Sequence, residues 1–512
     1  MAFVAAAAVL LASFAAFLAY HNYPLLRAEV AMVAACLVAG AAVFALVYAV
    51  AGRMVAALLE GLLIFLALDI NIDMLWAAIM AGAAAFLVAW LRQVSLLPML
   101  IVLCSVILAT TLVGLGQRHP SVTRTAAPAP APAQSTEPAI LHLILDEHIG
   151  LEGIGDEPVR QALAAFYTSR GFRLFGRAYG RHFRTANAVP DILNFGRAGD
   201  YEITKQHVRI GRTAYFDLLA RRGYRLHVYQ SEFADFCSAA TTESCTRYWS
   251  PSLAFVEESR LGVSGKAILI GAKFADLSST AYRATKAYNF LMGRLGAKRE
   301  GEPPSLSHRA LSSSLSALAA FDLVAADLRQ ARPGNLYFAH MLFPHYPYVV
   351  DEGCAMVAPS RWEYRRSRAG IEARRAAYHR QLHCAMKKTD ELLAAFAESP
   401  GGRGGIVVVH GDHGSRITGV DPRHNKIGRF TDRDLIAGYS TLFAIRAPGI
   451  EARVDSSPIA VPALLGALAG SGFKSADSAF SNQRGAAVFL DGRNWKPGPP
   501  VPLPADWQPG GQ

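Results

Sequence analysis

GGIVVVHGDHGSR, residues 404–416, decides how the rest of the chain is read. Ile406 to Val409 is a run of four β-branched apolar residues with glycines before it and polar residues after it. Such a run fits a strand buried on both faces, as in a parallel sheet. The strand would deliver Asp412 and His413 side by side at its carboxyl end, where ligands gather in open α/β sheets. Gly411 and Gly414 would let the backbone turn sharply around them. An adjacent Asp and His suit a divalent cation that takes N and O ligands. The competing reading of the same residues is a solvated turn with a capping Asp.

A second buried-strand run, Ile140 to Leu145, ends in Asp146 and Glu147, with His148, Gly150 and Gly153 after it. By itself the Asp146–Glu147 pair also reads as a solvated acidic turn, but two strands far apart in sequence now end in potential metal ligands. A third strand is expected at Leu336 to Leu342, leading into Phe343, Pro344, His345, Tyr346, Pro347 and Tyr348. His340 falls within that strand and is expected to be packed; His345 lies beyond it, between two prolines, in a loop aimed at a pocket. Thr185 stands just before a short helical run, where backbone N–H groups and the helix dipole favour an anion. Its hydroxyl reads as a helix cap or, if a metal lowers its pKa, as a nucleophile. Helices are expected over 156–170, 215–221, 361–396 and 462–468, and strands over 224–229 and 441–445. Residues 260–330 read as mostly helical. This alternation predicts an α/β sandwich with a mostly parallel central sheet.

The chain has 512 residues, a formal net charge of +11 and an uneven hydropathy profile. The first 124 residues hold only five basic side chains (Arg27, Arg53, Arg92, Arg118, Arg124) and four acidic ones (Glu29, Glu60, Asp69, Asp73). Nearly all the excess positive charge therefore belongs to the remainder. Beside a bilayer, a basic domain is drawn to anionic lipid or phosphorylated glycan. Nucleic acid is not expected, because there is no concentrated Lys/Arg run. Apolar stretches at about 2–20, 29–51, 54–70, 74–91 and 94–116 each approach the ~20 residues needed to cross the hydrocarbon core. Arg53 and Arg92 in the second and fourth connections put the N-terminus inside and everything after residue 117 outside. Arg27, in the first loop, goes against that pattern. Glu60 lies within the third apolar stretch, either as a functional intramembrane carboxylate or as a residue near a helix end that reaches the headgroups. The expected organisation is a transmembrane domain (1–117), a Pro/Ala-rich spacer (118–139), a catalytic domain (140–490) and a Pro-rich tail (491–512).

Cys36 and Cys104 fall in the apolar stretches. Cys237, Cys245, Cys354 and Cys384 fall in the exported part, where an even number suggests two disulfides. Three pairings of those four are open. None has the C-x-x-C spacing of a zinc site.

LDE at 145–147, TANAVP at 185–190, FPHYPY at 343–348 and GDHGSR at 411–416 stand in the order found in the alkaline phosphatase/sulfatase superfamily. The arrangement most resembles its membrane-anchored branch: lipid A phosphoethanolamine transferases, lipoteichoic acid synthases and related phosphoglycerol transferases. The resemblance implies an alkaline phosphatase-like α/β/α fold behind about five membrane helices. It makes Glu147, Thr185, Asp412 and His413 the metal ligands, Thr185 the nucleophile, and His345 a second catalytic residue holding substrate phosphate or another metal. Asp146, His424, Arg416 and Asn187 are further candidate metal or substrate contacts. The cofactor would be one or two divalent ions, zinc or manganese. Two features depart from the phosphoethanolamine transferases. No cysteines flank Thr185, and Ser415 and Arg416 follow Asp–His–Gly where Glu is usual. No C-x-P-x-R or S-x-P-x-R motif is present, which argues against a formylglycine-dependent sulfatase.

The resemblance implies a multi-pass bacterial inner-membrane protein with a periplasmic catalytic domain, expected to be monomeric. It would move a phosphoethanolamine or phosphoglycerol headgroup from a membrane phospholipid, through phospho-Thr185, to an envelope glycan or lipid. Two rivals use the same sequence: a periplasmic phosphodiesterase or phosphatase with water as acceptor, and a non-catalytic envelope-assembly protein.

Overall fold

The computed structural model describes residues 1–21, 23–71, 75–114, 122–126, 137–203, 208–231, 233–237, 242–248, 253, 256–257, 259, 261–275, 308–358, 361–363, 370–480, 487–493 and 496–504. Its helices are α1 (Ala2–Tyr20), α2 (Ala28–Val50), α3 (Arg53–Asn71), α4 (Leu75–Arg92), α5 (Leu97–Gly114), α6 (Glu157–Thr168), α7 (Thr185–Leu193), α8 (Ala214–Arg221), α9 (Val263–Ala275), α10 (His308–Leu328), α11 (Ile371–Glu398), α12 (Asp432–Tyr439) and α13 (Val461–Gly470). The chain divides into two compact units. The first contains α1 to α5 and α9, and the second contains the sheet described below.

In the first unit, five helices form where five spans are expected. Among the described residues, only α1 and α2 are long and apolar enough to cross a membrane by length and composition. α3 interrupts its apolar run with Glu60 and Asp69. α3 and α4 approach closely where Gly61 meets Gly82: a Cβ on Gly61 would lie 2.6 Å from the Gly82 carbonyl oxygen. Small residues permit that approach. Glu60 does not reach outward as a headgroup contact. It is buried and accepts hydrogen bonds from Tyr48 Oη (2.6 Å), Ser95 Oγ (3.0 Å) and the Leu96 amide (2.7 Å). It therefore ties α2 to the start of α5 and satisfies a helix-terminal N–H. Arg27, the exception to the charge pattern, is ion-paired with Glu257 at 2.5 Å. Its charge is offset by a residue more than two hundred positions later, which a count of loop charges does not see.

The second unit is built on a nine-stranded sheet. In chain order its strands are β1 (Val122–Ala126), β2 (Ile140–Leu145), β3 (Arg173–Phe175), β4 (Arg225–Ser231), β5 (Thr242–Tyr248), β6 (Asn335–Met341), β7 (Ile406–Gly411), β8 (Phe443–Arg446) and β9 (Val454–Asp455). Their order across the sheet is β1-β5-β4-β6-β2-β7-β8-β3-β9. β5, β4, β6, β2 and β7 run parallel. β1 pairs antiparallel with β5, and β8 is antiparallel to both neighbours. The apolar runs 140–145 and 406–411 are buried at every position and lie side by side, so Leu145 pairs with Gly411 and both loops leave the same edge. Capping fixes several helix starts. The Asp156 side chain accepts from the Val159 amide, Thr213 accepts from the Phe216 amide, and Thr431 and Asp434 form a capping box.

Two boundaries differ from expectation. Residues 122–126 of the expected spacer add an edge strand to β5. The expected tail is also partly folded: β10 (Ala487–Asp491) pairs antiparallel with β11 (Pro497–Pro502), and Leu490 and Leu503 are buried. Prolines tolerate such an edge position because it asks little of the missing N–H. The disulfides are Cys237–Cys245 and Cys354–Cys384, while Cys36 and Cys104 are free.

His142, His340 and His410 lie on the three adjacent strands β2, β6 and β7. The registers His340–Ile144 and His410–Ile144 put all three on one face, since His142 is two residues from Ile144. His410 Nδ1 is 2.8 Å from the Gly411 carbonyl, so that nitrogen carries the proton. Its Nε2 then accepts from His142 Nε2 at 2.8 Å, and His142 Nδ1 accepts from Tyr215 Oη at 2.9 Å. This directional chain requires neutral rings. Burial pushes His410 and His148 down to about 4 and His340 to about 3, from an ordinary 6.5. The unfolded chain therefore binds more protons than the folded one below pH 6.5, and stability is lost as pH falls toward 4. The expected loss is roughly 3 kcal/mol per histidine by that point. Denaturant unfolding followed across that window checks it. A stability that stays flat on acidification would contradict this account of the sheet.

Candidate active site

The β2 and β7 loops bring Asp146, Asp412 and His413 together at the sheet edge. One ligand atom from each lies within 4.8 Å of the others, and all three side chains are buried. His413 Nδ1 is 2.8 Å from the Gly414 carbonyl and carries the proton, which leaves the Nε2 lone pair facing the two carboxylates. That is the tautomer a metal ligand needs. His413 Nε2 lies 3.2 Å from Asp412 Oδ2 and 3.6 Å from Asp146 Oδ1.

Thr185 is the first residue of α7, and Arg184 before it supplies no side-chain cap. Thr185 Oγ1 lies 3.3 Å from both Asp146 oxygens, 3.2 Å from His413 Nε2 and 3.4 Å from Arg416 Nη2. The hydroxyl thus faces the cluster. Arg416 is buried, in close contact with His413 Nε2 as well, and its Nε is 3.3 Å from Glu147 Oε1. Burial pulls the guanidinium down, but the surrounding acidic groups, Glu147 foremost, outweigh it and hold it protonated.

Glu147 occupies a different place from Asp146. Its side chain accepts from the Tyr346 amide at 3.1 Å and faces Arg416 and His345, whose Nε2 is 3.9 Å from Oε1. The Glu147 backbone is in the left-handed region at φ 63°. It is fixed there by its amide donating to Asp412 Oδ1 (3.1 Å) and its carbonyl accepting from Tyr378 Oη (2.7 Å). Arg416 is likewise left-handed, at φ 52°. Such conformations in non-glycine residues cost of order 1–3 kcal/mol and need surroundings that impose them. The glycines of the motif serve another purpose. Gly411 and Gly414 do not have positive φ; a Cβ on Gly414 would lie 2.2 Å from the Ala437 carbonyl, and one on Gly411 2.3 Å from Thr441 Oγ1. They are required for space.

Burial raises Asp146 well above its ordinary range, and the Asp412 carboxylate adds to the effect; burial raises Asp412 too. Three carboxylates (Asp146, Glu147, Asp412) lie around one guanidinium, Arg416, among the described residues, so ionising all of them in this buried space is opposed. Uncompensated buried charge is costly. A divalent ion would favour the ionised carboxylates, and the Asp/Asp/His donor set fits a borderline cation such as zinc or manganese.

His345 sits in a loop held from α11. Gln381 Nε2 donates to the Pro344 carbonyl (3.0 Å) and the His345 carbonyl (2.9 Å), and its Oε1 accepts from the Val349 amide (2.9 Å). Asn187 is buried on α7. His424 lies apart from the ligand atoms, with Nδ1 3.3 Å from the Asp491 carbonyl. The Asp491 side chain in turn pairs with Arg184, with Nη2 to Oδ2 at 2.8 Å, and so braces the residue just before Thr185. Gln381, Tyr378 and Asp491 carry no motif signal. Gln381 and Tyr378 lie within the long charged helix, and Asp491 lies in the stretch read as tail.

No family model matches the chain, and no curated protein does. Solved structures do. The zinc complex of the C-terminal periplasmic domain of EcEptC from Escherichia coli matches at 13% identity, over 77% of this chain and 99% of that one, with a TM-score of 0.42. A protein in the alkaline phosphatase superfamily from Vibrio parahaemolyticus matches at 13% identity, over 72% and 76%, with a TM-score of 0.40. A putative sulfatase from Bacteroides thetaiotaomicron matches at 16% identity, over 65% and 71%, with a TM-score of 0.38. The chain is similar, at this distance, to alkaline phosphatase superfamily proteins, to a periplasmic EptC domain and to sulfatases.

Proposed function

We propose that the chain is a membrane-anchored, metal-dependent transferase that moves a phospho-headgroup from a membrane phospholipid through a covalent phospho-Thr185. The observation that carries this reading is Thr185 Oγ1 set against Asp146, His413 and Arg416, beside a buried Asp146–Asp412–His413 group that could hold a metal ion. Asp146, Asp412 and His413 would hold the ion, with Thr185 beside it. When bound, a divalent ion supplies Lewis-acid polarisation of the phosphoryl group and lowers the pKa of an adjacent hydroxyl. Thr185 Oγ1 attacks phosphorus as the diacylglycerol oxygen departs, and the Asp146 carboxylate, 3.3 Å away, takes the threonine proton. Arg416 and the amides at the start of α7 face the charge that develops on the phosphoryl oxygens. His345 is positioned by Gln381 as the candidate acid for the leaving oxygen. A sugar hydroxyl then takes the group from phospho-Thr185 and restores the free threonine. The location we propose is a bacterial inner membrane, with α1 to α5 as spans, the catalytic unit periplasmic, and zinc or manganese as cofactor. The donor headgroup we propose is phosphoethanolamine or phosphoglycerol.

Incubating the full chain with mixed phospholipids and an envelope glycan acceptor tests this. Diacylglycerol together with a modified acceptor is the expected product. Free headgroup with unmodified acceptor would favour the hydrolase, and no turnover with a metal-free site would favour the non-catalytic reading.

The ligand assignment is separately testable. Asp146→Asn is expected to weaken zinc binding about a hundredfold or more, and Glu147→Gln by less, because Glu147 addresses Arg416 and the Tyr346 amide. Calorimetric zinc titration of the two variants decides. Loss of binding in Glu147→Gln with retention in Asp146→Asn would reverse the assignment.

A further inference from the structure

We infer that α9, residues Val263–Ala275, is an interfacial helix that enters the lipid leaflet on the side of the α1–α2 loop, with acyl chains covering its outward face. The inference rests on reading α1 and α2 as membrane spans and adds a lipid contact made by a segment far along the chain. α9 lies in the same compact unit as those two helices, although more than two hundred residues separate them in sequence.

Contacts along α9 fix its depth. Near its start, Lys266 Nζ donates to the Glu257 carbonyl at 2.6 Å, and Glu257 pairs with Arg27, the residue preceding α2. That end is level with the α1–α2 loop. Near its other end, the Phe274 ring packs against Phe14 (5.1 Å) and Phe17 (5.6 Å) of α1. The Cβ position of Gly271 faces Val33 Cγ2 of α2 at 3.8 Å. Phe14 and Val33 lie five or six residues inside their helices. At 1.5 Å per residue that is about 8–9 Å below the loop. Interfacial helices bury their apolar face about 5–10 Å into the headgroup and acyl boundary.

The composition agrees. A helix facing water carries polar residues opposite its buried stripe. In α9 Ala267, Leu269, Ile270, Lys273 and Phe274 are buried, while Val263 and Ile268 point outward, 46% and 49% exposed. The sequence VSGKAILIGAKFA has no acidic residue; of its two lysines, Lys273 is buried in the protein and Lys266 lies at the shallow end, where anionic headgroups attract it. α2 also presents apolar side chains outward, among them Val43 (62% exposed) and Leu46 (67%).

The test uses the full chain with Cys36→Ala and Cys104→Ala, reconstituted into phosphatidylcholine vesicles with a minority of phosphatidylglycerol. Single cysteines at Ile268, Val263, Val43 and Val454 receive an environment-sensitive fluorophore. Val454, exposed in the second unit, is the aqueous reference, and Val43, on α2, reports the span itself. Lipids spin-labelled along the acyl chain are expected to quench Ile268→Cys several-fold more than Val454→Cys, with aqueous iodide showing the reverse. Val263→Cys should respond more to a label near the headgroup. Iodide quenching of Ile268→Cys equal to that of Val454→Cys, with Val43→Cys quenched by lipid, would overturn the inference and leave the anchor intact. Iodide quenching at Val43→Cys as well would overturn both.

Discussion

Thr185→Ala is expected to lower group transfer by about a thousandfold or more while leaving the fold in place, since removing a covalent nucleophile typically costs that much. The methyl-for-hydroxyl change deletes contacts to Asp146, His413 and Arg416 that cluster around one oxygen. Among the described residues the partners of that oxygen are side chains, and none is a backbone amide of α7. Zinc binding should survive in part, carried by Asp146, Asp412 and His413. Steady-state turnover with phospholipid, alongside metal content, checks the split. A Thr185→Ala enzyme with undiminished turnover would rule out threonine as the group carrier.

Arg416→Ala is expected to cost about a hundred- to a thousandfold in kcat, the range seen when one donor to a developing oxyanion is removed. Arg416 is the only guanidinium among the described residues placed against both Thr185 and Glu147. Its removal also leaves the Glu147 carboxylate buried without its counter-charge, and breaking a buried pair in this way costs about 3–5 kcal/mol. Arg416→Lys separates the two effects. A lysine retains charge for Glu147 but loses the planar fork, so stability should recover more than kcat does. Equal recovery of both would mean that Arg416 acts only through folding.

The strands were readable because burial on both faces leaves an unbroken apolar run. Ile140–Leu145 and Ile406–Gly411 announce themselves this way, and pairing them side by side brings Asp146 and Asp412 to one edge. Which of two adjacent carboxylates faces the ligand group was not readable. That depends on the left-handed turn at Glu147, which Tyr378 and Asp412 hold through its backbone from distant segments. A sequence pattern carries no record of backbone handedness at a non-glycine residue. Arg27 and Glu60 show the same limit in the helical unit. Loop charge and apolar length describe each residue alone, whereas Glu257 and the Tyr48–Ser95–Leu96 set decide what each does. The C-terminal prolines read as tail because proline opposes regular structure. A two-stranded edge hairpin accommodates them, and its Asp491 braces Arg184 beside the nucleophile.

The central claim is that Thr185 carries the phospho-headgroup during transfer. Peptide mass spectrometry after brief incubation with phospholipid and no acceptor, quenched in acid, weighs that residue directly. The account predicts a Thr185 peptide heavier by a phosphoethanolamine or phosphoglycerol group, and a return to the unmodified mass once acceptor is added. An unmodified Thr185 peptide at every time point, while diacylglycerol is still released, would contradict it.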